Sequence, residues 1–485
     1  MNRAHSQLDD LTRQRTIGWI WLGVFSLLAA GVLSLLLAFS RTPFLQDFFP
    51  GQDFFHVALV VHVDLSVLVW FMACAGMVWT VFSHRQTILG RMALWLAVTA
   101  MAMITAAPFI GADRPLMNNY VPVLQHGWFL TGLAILAFGL VLQAVSYLLQ
   151  MRLFRAAPSG TGPGEGNPSF TDMIRFALAL AAGSALLAVA CIGWSWSQLP
   201  DSLSGEAFYE YLFWGGGHVQ QFTNTLLALV AWVILARAGG SRLWLGPRSG
   251  RVLFALTALP LLTVPWIYRL PVDSGESIRA FTELMRTGGL AAAPLCLVIL
   301  TGIFNRQPIH PSRQPLRAVL LCSLTLFAAG GLLGFMIKGS NTMIPAHYHG
   351  SIVGVTLAFM GVVYHLLPNL GHPIRHIRML AWQPYLLAGG QLMHITGLAI
   401  SGGYGVQRKV AGAEQALDGF QQTFGMGLMG AGGLLAAIGR LLFMVRAYFS
   451  VGSAPLRQVP GGAPEIGQPD DGWYPARLTT GSPLV

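Results

Sequence analysis

Two histidines stand two residues apart at the head of a long apolar run, TMIPAHYHGSIVGVTLAFMGVVYHLLP, residues 342–368. Imidazole is costly to bury in hydrocarbon unless something binds it. On a helix, residues two apart point about 200° apart, so His347 and His349 take opposite faces. A single metal ion cannot use both. Two flat macrocycles, one on each side of the helix, can.

Histidine is a common axial ligand of haem iron, and a bis-histidine haem needs its second ligand from another helix at the same depth. His62, in FHVALVVHVDLSVLVWF, lies two turns into an earlier apolar run. His56 lies nearer the interface and is the weaker alternative. His218, in YLFWGGGHVQQFTNT, comes at a similar depth behind Gly215, Gly216 and Gly217. Glycine lets something bulky approach the backbone, so this stretch is read as a metal or haem pocket rather than close helix packing. His126, His365 and His394 are read as packing or hydrogen-bonding groups, and His5, His84, His310, His372 and His376 as solvated.

These residues need helices to carry them. Of 485 residues, 54% are hydrophobic and only 10% charged, against about 25% charged in soluble domains; the mean hydropathy is +0.59. Crossing a bilayer takes about 20 helical residues, and twelve runs qualify: 17–39, 55–83, 91–112, 121–150, 176–197, 207–237, 251–270, 281–304, 316–336, 343–368, 384–402 and 420–447. The expected fold is therefore an all-α membrane protein of twelve transmembrane helices, 17–447, between a polar segment 1–16 and a Pro/Gly-rich tail 448–485. The seventh run is short, and no internal repeat is evident. The first run is too long for a signal-peptide core and is read as retained.

Basic residues set the orientation. Arg85, Arg91, Arg152, Arg155, Arg175, Arg237, Arg242, Arg248, Arg251, Arg306, Arg313, Arg375 and Arg378 fall at one end of the runs. Asp47, Asp53, Asp113, Asp201, Glu206, Asp273, Glu276 and Glu414 fall at the other. Both termini are then cytoplasmic, in an inner membrane of bacterial type. The net charge of +10 is accounted for by topology, without nucleic acid. Cys74, Cys191, Cys296 and Cys322 lie inside apolar runs without CxxC spacing and read as core residues. With no CxxCH motif, no covalently attached c-type haem is expected.

A family is recognisable at this point. A histidine in span two, one in span six and H-x-H in span ten of twelve resemble subunit I of the haem–copper oxidase superfamily. AHYHGSIVGVTLAFMGVVYHLLP and HVDLSVLVWF are similar to the tenth and second helices of its nitric oxide reductase and C-type oxidase branches. The resemblance implies two haems: a low-spin one ligated by His62 and His349, and a high-spin one on His347 where a diatomic gas binds. It makes His218 a ligand of a second metal, copper or non-haem iron. Arg408 and Lys409, in SGGYGVQRKVAG, resemble the basic segment that meets haem propionates; ordinary interfacial anchoring is the competing reading.

The pattern also breaks. The family draws two adjacent histidines from span seven, but RVLFALTALPLLTVPWIYRLP has none. One imidazole does not make a copper site. Glu276 or Glu283 could serve iron instead, or Tyr268 or Arg269 could fill the place of an absent metal. Four residues after His218 the family carries tyrosine or glutamate; here Phe222 follows Gln220 and Gln221. Tyr268 and Glu283 are thus the candidate catalytic groups. Few polar groups occupy the inner halves of the spans, so protons are expected from the outer side, without pumping. Asn118 and Asn119 are placed on the outer face and rejected as an inner proton entrance.

Three functions compete. The first is a respiratory enzyme reducing O2 or NO, with electrons from a cytochrome c or cupredoxin-like partner on the outer face. The second is a non-catalytic dihaem electron-transfer or gas-sensing module. The third, a twelve-span transporter, leaves the histidine depths unexplained and lacks repeated halves.

Overall fold

The structure is a computed structural model, and it describes residues 9–48, 52–155, 169–304, 313–372 and 377–452. His5, His310, His376, Arg306, Arg375 and most of the tail lie outside the described residues. Twelve long helices run in chain order: α1 Asp10–Phe39, α2 Phe54–Phe82, α3 Ile88–Ile110, α4 Gly127–Met151, α5 Phe170–Gln198, α6 Gly205–Ala238, α7 Pro247–Ile267, α8 Gly275–Phe304, α9 Gln314–Phe335, α10 Met343–Leu370, α11 Ile377–Gly403 and α12 Phe420–Val451. Among the described residues, eleven of them are long and apolar enough to cross a membrane; α11, with 27 residues, is the other. The protein is an all-α membrane bundle, as its apolar runs predict.

Burial sorts the helices. The apolar window of α10 is 89% buried, that of α6 78% and that of α2 61%; those of α7 and α8 are 28% buried. The three innermost helices are those carrying His347, His349, His218 and His62. A helix apolar on all sides belongs in the centre of a bundle, whereas one that keeps a lipid-facing side belongs at its edge.

Three local departures from α geometry matter. In α2 a π-helical stretch, Asp64–Val69, begins two residues after His62. The short seventh span is a helix broken by a 3₁₀ segment, Leu259–Thr263, where Pro260 lacks an N–H for the ladder. Next to it, α8 is broken at Gly289–Ala292. Between α3 and α4 a hairpin pairs β1 (Pro115–Leu116) with β2 (Val123–Leu124). Its turn carries Asn118, whose side-chain oxygen accepts from the N–H groups of Tyr120 (3.0 Å) and Val121 (2.8 Å).

Glycine sets one close approach. A Cβ on Gly354 of α10 would come within 2.8 Å of the Phe327 nitrogen of α9. Absence of side chains lets the two backbones touch, the common device at membrane helix interfaces. It brings the Gly330 carbonyl within 2.7 Å of His347 Nδ1.

His372, expected to be solvated, is buried instead, and its Nδ1 donates to the Ser450 carbonyl at 2.9 Å. Burial pushes its pKa down. Its position just past α10 suggested a water-exposed loop, but the end of α12 covers it.

Candidate haem pocket and the aromatic cluster beside it

One cavity of about 270 Å³ is lined by His62 of α2, His349 of α10 and His394 of α11. Each imidazole is held the same way. His62 Nδ1 donates to the Ala30 carbonyl of α1 at 2.8 Å, His349 Nδ1 to Pro345 one turn back at 2.9 Å, and His394 Nδ1 to Met429 of α12 at 2.9 Å. A carbonyl only accepts, so Nδ1 carries the proton and the Nε2 lone pair stays free. Pinning one ring nitrogen to orient the other is how metal-binding histidines are prepared. Among the described residues, none of the three Nε2 atoms has a hydrogen-bond partner.

His349 and His394 lie with ring centroids 5.0 Å apart. His394 was expected to be a packing or hydrogen-bonding group; it does bond to Met429, and the structure also puts it on the cavity. The signal was depth: His394 lies nine residues before the end of α11 at Gly403, and His62 eight residues after the start of α2 at Phe54.

The other walls are mostly apolar, with neutral polar groups such as Asn118, Tyr120, Gln221 and Gln391 among them. Arg41, Arg408, Lys409 and Arg440 also line it, and among the described residues no aspartate or glutamate does. Arg408 Nε donates to Ser340 Oγ at 3.1 Å and Arg41 Nη2 to the Gln407 carbonyl at 3.2 Å. Lys409 Nζ donates to the Met117 carbonyl at 2.5 Å, while its own carbonyl accepts from His56 Nε2 at 2.9 Å. Lys409 sits at φ 63°, a left-handed conformation that costs roughly 1–2 kcal/mol for a residue with a Cβ. His56 is thereby occupied as a loop fastener. Arg41 and Arg440 were not singled out from sequence.

His347 points away from this cavity, as its spacing from His349 predicts. Its Nδ1 donates to Gly330, and among the described residues its Nε2 has no partner.

His218 is held differently. Its Nδ1 donates to the Trp214 carbonyl at 2.7 Å, and its Nε2 accepts from the Tyr120 hydroxyl at 3.0 Å. Both ring nitrogens are used. The ring packs among Trp214, Tyr120 and Phe281, at 4.8, 4.9 and 6.2 Å between centroids. The three preceding glycines do not open a cofactor space. A Cβ on Gly217 would strike the Tyr120 ring, one on Gly216 would meet Ile192, and one on Gly215 would meet Tyr268 and Phe281.

The other candidate groups of this region do not reach His218, though Tyr268 packs on Phe281 beside it, 5.2 Å between ring centroids. Tyr268 Oη donates to the Cys191 carbonyl of α5 at 2.9 Å and lies 3.1 Å from Ser195 Oγ. Burial pushes its pKa upward. Glu283 is exposed on α8 and pairs with Arg286 at 3.2 Å. The reason is the amphipathic start of α8: Ser277, Phe281 and Leu284 face inward, leaving Glu276 and Glu283 on the outer side. Among the described residues no group of three His, Cys, Asp or Glu could hold a metal ion.

Residues 15–435 match the family described as Cytochrome C and Quinol oxidase polypeptide I. The chain belongs to that family. An uncharacterized protein of Rickettsia prowazekii (strain Madrid E) is 29% identical over 91% of this chain and 96% of its own length. An uncharacterized protein of Aquifex aeolicus (strain VF5) is 26% identical over 73% of this chain and 85% of its own. The fold also resembles the cryo-EM structure of a haem–copper terminal oxidase dimer, with TM-score 0.71, 16% identity, and coverage of 96% of this chain and 89% of that one.

The two groups the polypeptide I family implies fare differently against these residues. The His62/His349 cavity fits a haem: free Nε2 atoms on two helices, mostly apolar walls, and four lining cations, of which, among the described residues, Lys409 alone feels nearby carboxylates, Glu206 and Glu210. The second-metal position does not fit. Its one histidine has its lone pair taken by Tyr120, and the oxygen ligands proposed for it, Glu276 and Glu283, are exposed.

Proposed function

We propose that this chain is a haem-bearing electron-transfer subunit of a respiratory, oxidase-type membrane complex. The observation that supports it is the uniform posture of the cavity histidines, each Nδ1 pinned to a carbonyl and each Nε2 open. His62 and His349 would hold a low-spin haem, and His347 a second haem on the far face of α10. A haem held by either set would supply reversible one-electron chemistry at iron and, on the His347 side, would bind O2 or NO.

The chain's own residues do the rest. The carbonyls of Ala30, Pro345 and Gly330 fix ring orientation, so that the Nε2 lone pairs need no reorganisation to bind. Arg41, Arg408 and Lys409 offer cations to carboxylates at one end of the cavity, where charge-assisted hydrogen bonds are strong. One helix carrying ligands on both faces keeps the two sites a helix width apart.

Electrons would come from a cytochrome c or cupredoxin-like partner at the acidic outer face, with the chain in an inner membrane and both termini cytoplasmic. Full reduction of O2 or NO at a two-metal centre is the weaker reading, because His218 is committed to Tyr120 and Trp214. Metal and haem quantification of the purified chain tests this. Two haems and no stoichiometric copper or non-haem iron are expected, with CO binding abolished by His347→Ala. A stoichiometric second metal that His218→Ala removes would overturn it.

A further inference from the structure

Arg440 is the one cavity-lining cation that stands apart from the others. Arg41, Arg408 and Lys409 each donate to a protein oxygen, and Glu206 and Glu210 act on Lys409. Arg440, among the described residues, makes no hydrogen bond and no ion pair, and its Nη1 is buried without a partner. It projects from the middle of α12, with its Cδ 4.0 Å from the position a Cβ would take on Gly31. Gly31 follows Ala30, whose carbonyl holds His62. His62, His349 and His394 all lie within its electrostatic reach.

An unpaired guanidinium inside a membrane bundle is expensive and marks function by default. Packing does not require it, since a leucine or methionine would fill the same wall. The carboxylates of a bound haem would be offset by the three outer cations, which leaves Arg440 uncompensated. Adding one electron at the His62/His349 site lowers the positive charge there by one unit. A fixed cation nearby, in a low-dielectric wall, favours that change.

We propose that Arg440 tunes the His62/His349 site, holding its reduction potential high so that it accepts electrons readily from an outer donor. Arg440 is a positioning residue for charge; it is not a ligand. The inference rests on the haem site proposed above.

The test is spectroelectrochemical titration of the full-length purified chain carrying Arg440→Leu or Arg440→Lys, with haem content and absorption spectra measured alongside. The expected result is wild-type spectra for both, a clear downward shift of the low-spin midpoint in Arg440→Leu, and a midpoint close to wild type in Arg440→Lys. An unshifted midpoint in Arg440→Leu overturns the inference, as does an equal fall in both variants, which would assign the effect to shape rather than charge. Should Arg440→Leu not retain haem, Arg440→Gln takes its place, and Arg440→Lys must still titrate above it. If His62→Ala and His349→Ala each leave the wild-type spectrum intact, the haem site itself fails and this inference with it. Unshifted potentials with intact spectra overturn the inference alone.

Discussion

The His62/His349 cavity and the His218 cluster start from the same local chemistry and end in opposite states. In both, a histidine on a deeply buried helix donates its Nδ1 proton to a carbonyl. At His62 and His349 the second nitrogen faces an open, cation-lined cavity. At His218 it meets the Tyr120 hydroxyl, and aromatic rings fill the surrounding volume. Imidazole readiness is therefore decided by what stands opposite Nε2, a matter of tertiary packing rather than of the helix carrying the ring.

The largest test of this contrast is spectroscopic. His62→Ala or His349→Ala is expected to abolish the low-spin haem spectrum, whereas His218→Ala leaves it in place. Equal losses from all three would erase the distinction.

Next comes packing. Gly217→Ala drives a methyl into the Tyr120 ring, and overpacking of this kind costs about 1–3 kcal/mol. Thermal unfolding in detergent should show a lowered midpoint with the haem spectrum unchanged. A neutral Gly217→Ala would mean that Tyr120 is free to move off His218.

The smallest effect concerns the rim. Burial pushes the Lys409 ammonium down to about 8, with Arg408 adding to the fall and Glu206 and Glu210 opposing it. Below that pH the side chain carries the charge a carboxylate needs; above it the charge is lost. Carboxylate binding raises this pKa in turn, so haem retention should weaken as pH rises through about 8. A partly exposed pair is worth up to about 1 kcal/mol, a few-fold in affinity, and Lys409→Met should flatten the profile. A pH dependence that survives in Lys409→Met would assign it to another group.

Much of the fold could be read in advance because hydrocarbon is an undemanding reader: twelve apolar runs became twelve long helices. The opposed faces of His347 and His349 followed from helical geometry alone. The glycines before His218 misled, because a missing side chain shows that something approaches without saying what. Tyr120 sits 98 residues from His218 in the chain, and no local pattern pairs them. Arg440 and Arg41 were not singled out, since sequence does not tell a snorkelling arginine from one turned inward. His394 was missed because it was placed nearer mid-membrane, although it lies about as far from the end of α11 as His62 does from the start of α2.

The π-helical stretch Asp64–Val69 carries a consequence for how this bundle tolerates change. A wide turn of that kind takes up one extra residue locally, so the helix above and below it keeps its facing. Here it separates the ligand end of α2 from the half where Trp70 and Trp79 lock into the core, and Ser26 Oγ, at 2.5 Å, takes up the Leu65 carbonyl inside it. Deleting one residue within the stretch should therefore close the wide turn into regular α-helix with His62 still facing the cavity, whereas deleting one from the regular helix between His62 and the core tryptophans should turn the two ends by about 100° relative to each other.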